Sequence, residues 1–95
     1  MKKVNILVVD DEARMRKLIK DFLSKKEFDV IEAEDGEKAI NIYRQDKEKI
    51  DLILLDVMMP KLDGWSVLRL IRQEDKKIPI KITDAMSALN GLNKT

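Results

Sequence analysis

Apolar positions along the chain follow two alternating patterns. Val4 to Val9 (VNILVV) is a β-branched, nearly continuous apolar run, which suits a strand covered on both faces of a parallel sheet. Behind it, Met15, Leu18, Ile19, Phe22 and Leu23 recur at helical spacing with Arg14, Arg16, Lys17, Lys20 and Asp21 between them, the pattern of an amphipathic helix. Asp29 to Ala33 (DVIEA) alternates like a short strand with one polar face. A second helix is expected from about Gly36, with Ala39, Ile40 and Tyr43 inward and Asp35 as its N-cap. Leu52 to Leu55 reads as a third strand, Val67, Leu68 and Ile71 as the apolar stripe of a third helix beginning near Gly64, and Ile78 to Thr83 (IPIKIT) as a weaker fourth strand.

Strands alternating with helices of this length predict right-handed βαβ crossovers and an α/β fold with a parallel sheet. Such sheets bind ligands beyond the carboxyl ends of their strands. The first strand delivers Asp10 and Asp11 to that edge and the third delivers Asp56. A single Asp after a strand is commonly a cap or turn residue. If the first and third strands are neighbours, however, three carboxylates from remote parts of the chain meet, and like charges so close raise one another's pKa unless a cation offsets them. A hard divalent ion such as Mg2+ suits an all-oxygen donor set, and an aspartate beside it can attack phosphorus.

Composition narrows the chemistry. Ninety-five residues, 44% apolar and 39% charged, describe one small domain. The absence of cysteine excludes disulfides and thiolate metal sites, and the absence of histidine excludes imidazole catalysis and any phosphohistidine of the chain's own. Its 19 basic and 18 acidic residues give a net charge of +1 with no basic tract, so neither nucleic acid nor membrane is an expected partner of this segment. The apolar stretch in MKKVNILVV is too short for a signal peptide, holds Asn5 and runs into Asp10, Asp11 and Glu12; a cytoplasmic protein is expected.

Three stretches carry a family resemblance. Val8-Val9-Asp10-Asp11-Glu12, Leu54-Leu55-Asp56-Val57-Met58-Met59-Pro60 and Asp63-Gly64 resemble the acidic pair, phosphoacceptor segment and following turn of two-component response regulator receiver domains, over about residues 1 to 80. The resemblance implies a flavodoxin-like sheet of order 2-1-3-4 with helices on both faces. It also implies a regulatory module that is not an enzyme in the usual sense. Asp56 is then the residue that takes a phosphoryl group from a sensor histidine kinase, with Mg2+ held by Asp10, Asp11, Asp56 and the main-chain carbonyl of Met58, Asp11 being favoured over Asp10 as a direct ligand. Glu12 sits at the positive start of the first helix. Pro60 restricts the loop, Gly64 permits tight packing or an unusual dihedral, and Met58, Met59 and Trp65 read as packing side chains.

The resemblance fails after Ile80. Receiver domains end their fourth strand in Thr or Ser and carry a lysine before proline on a fifth, whereas this chain continues KITDAMSALNGLNKT. Thr83 is accordingly a provisional switch hydroxyl; in the alternative register Asp84 takes that place and would repel a phosphoryl group. Lys94 lacks the strand and the proline, so the lysine role is not transferred to it. The expectation is an incomplete receiver domain over residues 1 to 83 and a divergent tail over 84 to 95, either disordered or a short helix with Ala85, Met86, Leu89 and Leu92 on one face. With the fifth strand and final helices missing, strand four becomes an edge, for which Lys81 offers protection, and a homo-oligomer formed by swapping or a two-fold contact is expected. The alternative function is a truncated receiver kept as a dimerisation or interaction fragment with a broken switch. A phosphohydrolase is disfavoured because Met58 stands where its second acid is needed.

Overall fold

The structure is a computed structural model that describes residues 3–57, 59 and 62–83. Seven elements alternate: β1 (Asn5–Val9), α1 (Ala13–Lys25), β2 (Asp29–Ala33), α2 (Gly36–Asp46), β3 (Leu52–Asp56), α3 (Gly64–Glu74) and β4 (Ile80–Thr83). The strands form one parallel sheet in the order β2-β1-β3-β4, the flavodoxin-like arrangement expected. Val8 lies opposite Leu54 and Leu54 opposite Lys81, so this row of side chains shares one face of the sheet. No helix among the described residues is long and apolar enough to cross a membrane.

The two faces are covered unequally. Leu7, Val9, Ile53 and Leu55 pack with Ala39, Ile40 and Tyr43 of α2 and Val67 and Ile71 of α3, forming the main core. Helix α1 lies on the other face, where Ile6, Val8 and Met15 are buried. Its stripe is only partly covered: Leu18 is 44% and Phe22 47% exposed, beside a groove of about 270 Å3 that Ile19, Leu54, Lys81 and Thr83 also line. Among the described residues no second helix stands beside α1, whereas α2 and α3 pack against each other.

Loop chemistry sets the element ends. Asp35 and Asp63 cap α2 and α3, their carboxylates accepting from the main-chain N–H of Lys38 and Ser66, each at 2.8 Å. Helix α1 ends with Phe28 N–H donating to the Leu23 oxygen at 3.1 Å and Glu27 N–H to the Ser24 oxygen at 3.0 Å. This Schellman closure places Glu27 at φ 67°, in the left-handed region. The fourth strand is shorter than the expected span from Ile78. Asp75 Oδ1 accepts from the N–H groups of Lys77 and Ile78 at 2.9 and 3.1 Å, which ties Ile78 into a turn and buries its side chain, while Pro79 has no N–H for a ladder.

Trp65 differs from its reading as a packing side chain, being 55% exposed. As the second residue of α3 it lies on the side of the helix away from Val67 and Ile71, which face the sheet. Met59 is buried as expected. Met58, Pro60, Asp84, Lys94 and the expectations for residues 84 to 95 lie outside the described residues.

Candidate functional site

The end of β1 and the end of β3 converge at the carboxyl edge of the sheet. Adjacent residues on a strand point to opposite faces, so Asp10 continues the face of Val8 and Asp56 that of Leu54. Each of Asp10, Asp11 and Asp56 offers a carboxylate oxygen, and these three atoms lie within 4.8 Å of one another. Asp10 and Asp56 are both 2% exposed, while Asp11 is open to solvent. Asp56 is the last residue of β3 itself, so the third strand runs one residue beyond the expected Leu55.

Asp10 is held from several sides. Its N–H donates to the Ala33 oxygen of β2 at 3.1 Å and its Oδ1 accepts from Glu12 N–H at 2.8 Å. Arg16, on the first turns of α1, donates from Nη1 to the Asp10 main-chain oxygen at 2.8 Å and from Nε to Glu32 of β2 at 3.3 Å. Burial pushes the Asp10 carboxyl up to about 6; the bond from Glu12 N–H opposes this, and the charges of Asp56, Asp11 and Glu12 push the same way as burial. The cluster is thus electrostatically costly when nothing offsets it. Three oxygen donors of this charge suit a hard divalent cation.

The loop that leaves β3 is pressed onto its own strand. A Cβ on Gly64 would stand 2.3 Å from the Asp56 carbonyl oxygen and 2.5 Å from Val57 Cα, so glycine is required there for close approach and not for a special dihedral. Asp63 directly before it caps the helix, and that bond holds its own carboxyl below the usual range. One Asp-Gly pair therefore fixes both the start of α3 and its distance from Asp56.

Thr83 pairs in register with Asp56 across the β3–β4 ladder, and Val57 N–H donates to its main-chain oxygen at 3.0 Å. By the same alternation Thr83 shares the face of Lys81, and with it that of Asp56. The structure thus brings Asp10, Asp11, Asp56 and Thr83 to one strand edge. The remaining expected ligand, the Met58 carbonyl, lies outside the described residues. Arg16 is the residue that periodicity passed over. Between apolar positions of a helix it reads as part of a solvated face, and its place six residues after Asp10, near the start of the helix that follows β1, is the only signal of its contact with the site.

Known proteins share this sequence pattern and fold. The sequence profile of the response regulator receiver domain matches residues 6–93. The probable transcriptional regulator ycf27 of Porphyridium aerugineum is 45% identical over 87 residues, which cover 92% of this chain and 35% of that protein. The chain therefore spans about a third of the length of the first such relatives. Among solved structures, the CheX-CheY-BeF3-Mg2+ complex from Borrelia burgdorferi superposes with a TM-score of 0.82 at 34% identity, over 86% of this chain and 62% of that one. The complex of histidine kinase ThkA with response regulator TrrA, the latter from Thermotoga maritima, gives 0.80 at 35% identity over 86% and 69%. Profile, strand order and acid cluster agree: this chain belongs to the response regulator receiver domain family, the regulatory modules of two-component signalling.

Proposed function

We propose that the chain is a phosphoacceptor module, in which Asp56 takes a phosphoryl group from the phosphohistidine of a sensor histidine kinase. The observation that carries this reading is the convergence of the Asp10, Asp11 and Asp56 carboxylates within 4.8 Å at the carboxyl edge of the sheet. A carboxylate oxygen of Asp56 attacks phosphorus as the P–N bond breaks, and the bonding electron pair leaves with the imidazole nitrogen. Asp10, Asp11, Asp56 and the Met58 carbonyl are the residues that hold Mg2+, which when bound neutralises charge on the transferred group. Thr83 is the hydroxyl that bonds that group afterwards, a reading its register opposite Asp56 supports. Hydrolysis of the acyl phosphate by water, assisted by the same acids, restores the carboxylate.

The neighbour that is a complex of a histidine kinase with a response regulator supports the kinase as partner, and the Mg2+-containing neighbour supports the metal. A cytoplasmic setting belongs to the same reading. So does a homo-oligomer, favoured by a β4 edge that is paired on one side only among the described residues and by exposed Leu18, Phe22 and Ile82 beside it. Sedimentation equilibrium that returns only the monomer mass sinks that last part.

The test of the main reading is incubation with Mg2+ and acetyl phosphate, followed by intact-mass and peptide mapping. A base-labile phosphoryl adduct on Asp56 is expected, lost in Asp56→Asn and on chelation. Folded protein that takes up no adduct overturns the proposal.

A further inference from the structure

Arg16 belongs to no expected set of site residues, yet it is bound to the site's backbone. Its side chain is only 14% exposed although it stands on a surface helix, and its bonds reach two different strands: Nη1 to the main-chain oxygen of Asp10 after β1, and Nε to Glu32 of β2. Glu32 is itself shared, its second oxygen pairing with Lys20 at 3.5 Å.

The Asp10 oxygen is part of the peptide plane that joins Asp10 to Asp11. A donor locked onto that oxygen sets the rotation of the plane, and with it the direction in which the Asp11 Cα, and so its carboxylate, projects. The other bonds to Asp10 do not do this. Ala33 holds the Asp10 nitrogen, on the preceding peptide, and Glu12 holds the Asp10 carboxylate. We propose that Arg16 is a positioning residue for the divalent-cation site: by clamping the Asp10–Asp11 peptide to β2 it holds the two adjacent carboxylates in the one arrangement that faces Asp56. The planar fork is the reason the residue is arginine. A guanidinium reaches two acceptors in fixed geometry, whereas an ammonium is a single point that serves one of them well. This inference rests on the cation-binding reading of the site.

Charge makes the test direct. Arg16 is a cation near a cation site, so removing its charge alone strengthens Mg2+ binding, whereas loss of a clamp weakens it. Mg2+ titration of the full chain by isothermal calorimetry is compared for wild type, Arg16→Met and Arg16→Lys, with circular dichroism confirming the fold. Positioning predicts that Arg16→Met raises the dissociation constant about 10-fold or more, in line with loss of other outer-shell partners. Arg16→Lys, which keeps the charge, is expected to weaken binding by a smaller factor. It also supplies the measurement if Arg16→Met does not fold. Wild-type protein that binds while the folded variants bind equally well or more tightly overturns the role of Arg16 and leaves the cation site standing. Wild-type protein that does not bind Mg2+ overturns the cation reading and this inference with it.

Discussion

The two ends of the sheet solve opposite problems with the same residue types. At the amino edge each loop satisfies its own polar groups. Asp75 is bonded by the N–H groups of Lys77 and Ile78 and by the hydroxyl of Tyr43, and those donors hold its carboxyl below the usual range. Asn5 bonds Asp51 and the Lys49 carbonyl, and Arg72 bonds the carbonyl of Ile78. At the carboxyl edge an aspartate is instead buried among like charges and its carboxyl is driven up to about 6. Asp75 stabilises the fold, whereas Asp10 strains it while forming, with Asp11 and Asp56, a cluster able to bind. The lesson is that a carboxylate's role is read from its donors and neighbours, not from its place in a loop.

The contrast is broken most severely at Gly64. Gly64→Val drives new atoms into the backbone of Asp56 and Val57 and is expected to cost about 3 kcal/mol, read from urea unfolding, with Mg2+ affinity falling too because the strand end itself must shift. A result within error of wild type shows that the loop is not pressed against the strand.

Next is pH. Asp10 binds its proton more tightly in the folded chain, at about 6 against the ordinary 3.8, so folding takes up a proton between those values. In chelator, stability is therefore expected to fall as pH rises from about 4 to about 7, by roughly 2 to 3 kcal/mol, since each tenfold gain in proton affinity corresponds to about 1.4 kcal/mol. Asp10→Asn removes that slope, and so does excess Mg2+. Asp63 and Asp75, held low, contribute the opposite slope in a more acidic window, so the wild-type minus Asp10→Asn difference isolates the contribution of Asp10. A difference curve flat across the window refutes it.

At the amino edge, Asp75→Ala removes the acceptor for two N–H groups and a hydroxyl. A lower melting temperature with unchanged Mg2+ affinity is expected, and a changed affinity denies the separation of the two ends. The smallest effect is at Glu27, whose φ of 67° suits glycine: Glu27→Gly is expected to stabilise the chain by about 1 kcal/mol in the same unfolding assay.

Much of this is legible in the sequence. Asp35 reads as a cap because it precedes a helical stripe with nothing else to start it, and the three acids stand out because apolar runs end at them. Periodicity, however, reports that a side chain belongs to a stripe and not what covers the stripe, so it is silent on the exposure of Leu18 and Phe22. Ile78 resembles strand because a turn built by one carboxylate, that of Asp75, leaves no apolar signature. Arg16 is hidden for the reason that makes it useful: a long side chain acts far from its own Cα, and local patterns see only the Cα.

The adjacency of β1 and β3 carries a thermodynamic consequence. Asp10 and Asp56 are remote along the chain and meet only through the pairing of Val9 with Leu55 and its neighbours, so a chain in which those strands have separated has no cluster. A cation taken by the cluster binds the native state and not the unfolded one. At a free concentration a hundred times its dissociation constant, such a ligand adds about 2.7 kcal/mol to stability. For a domain this small that is a substantial share of the whole, so a cation bound there would act as a structural member of the sheet.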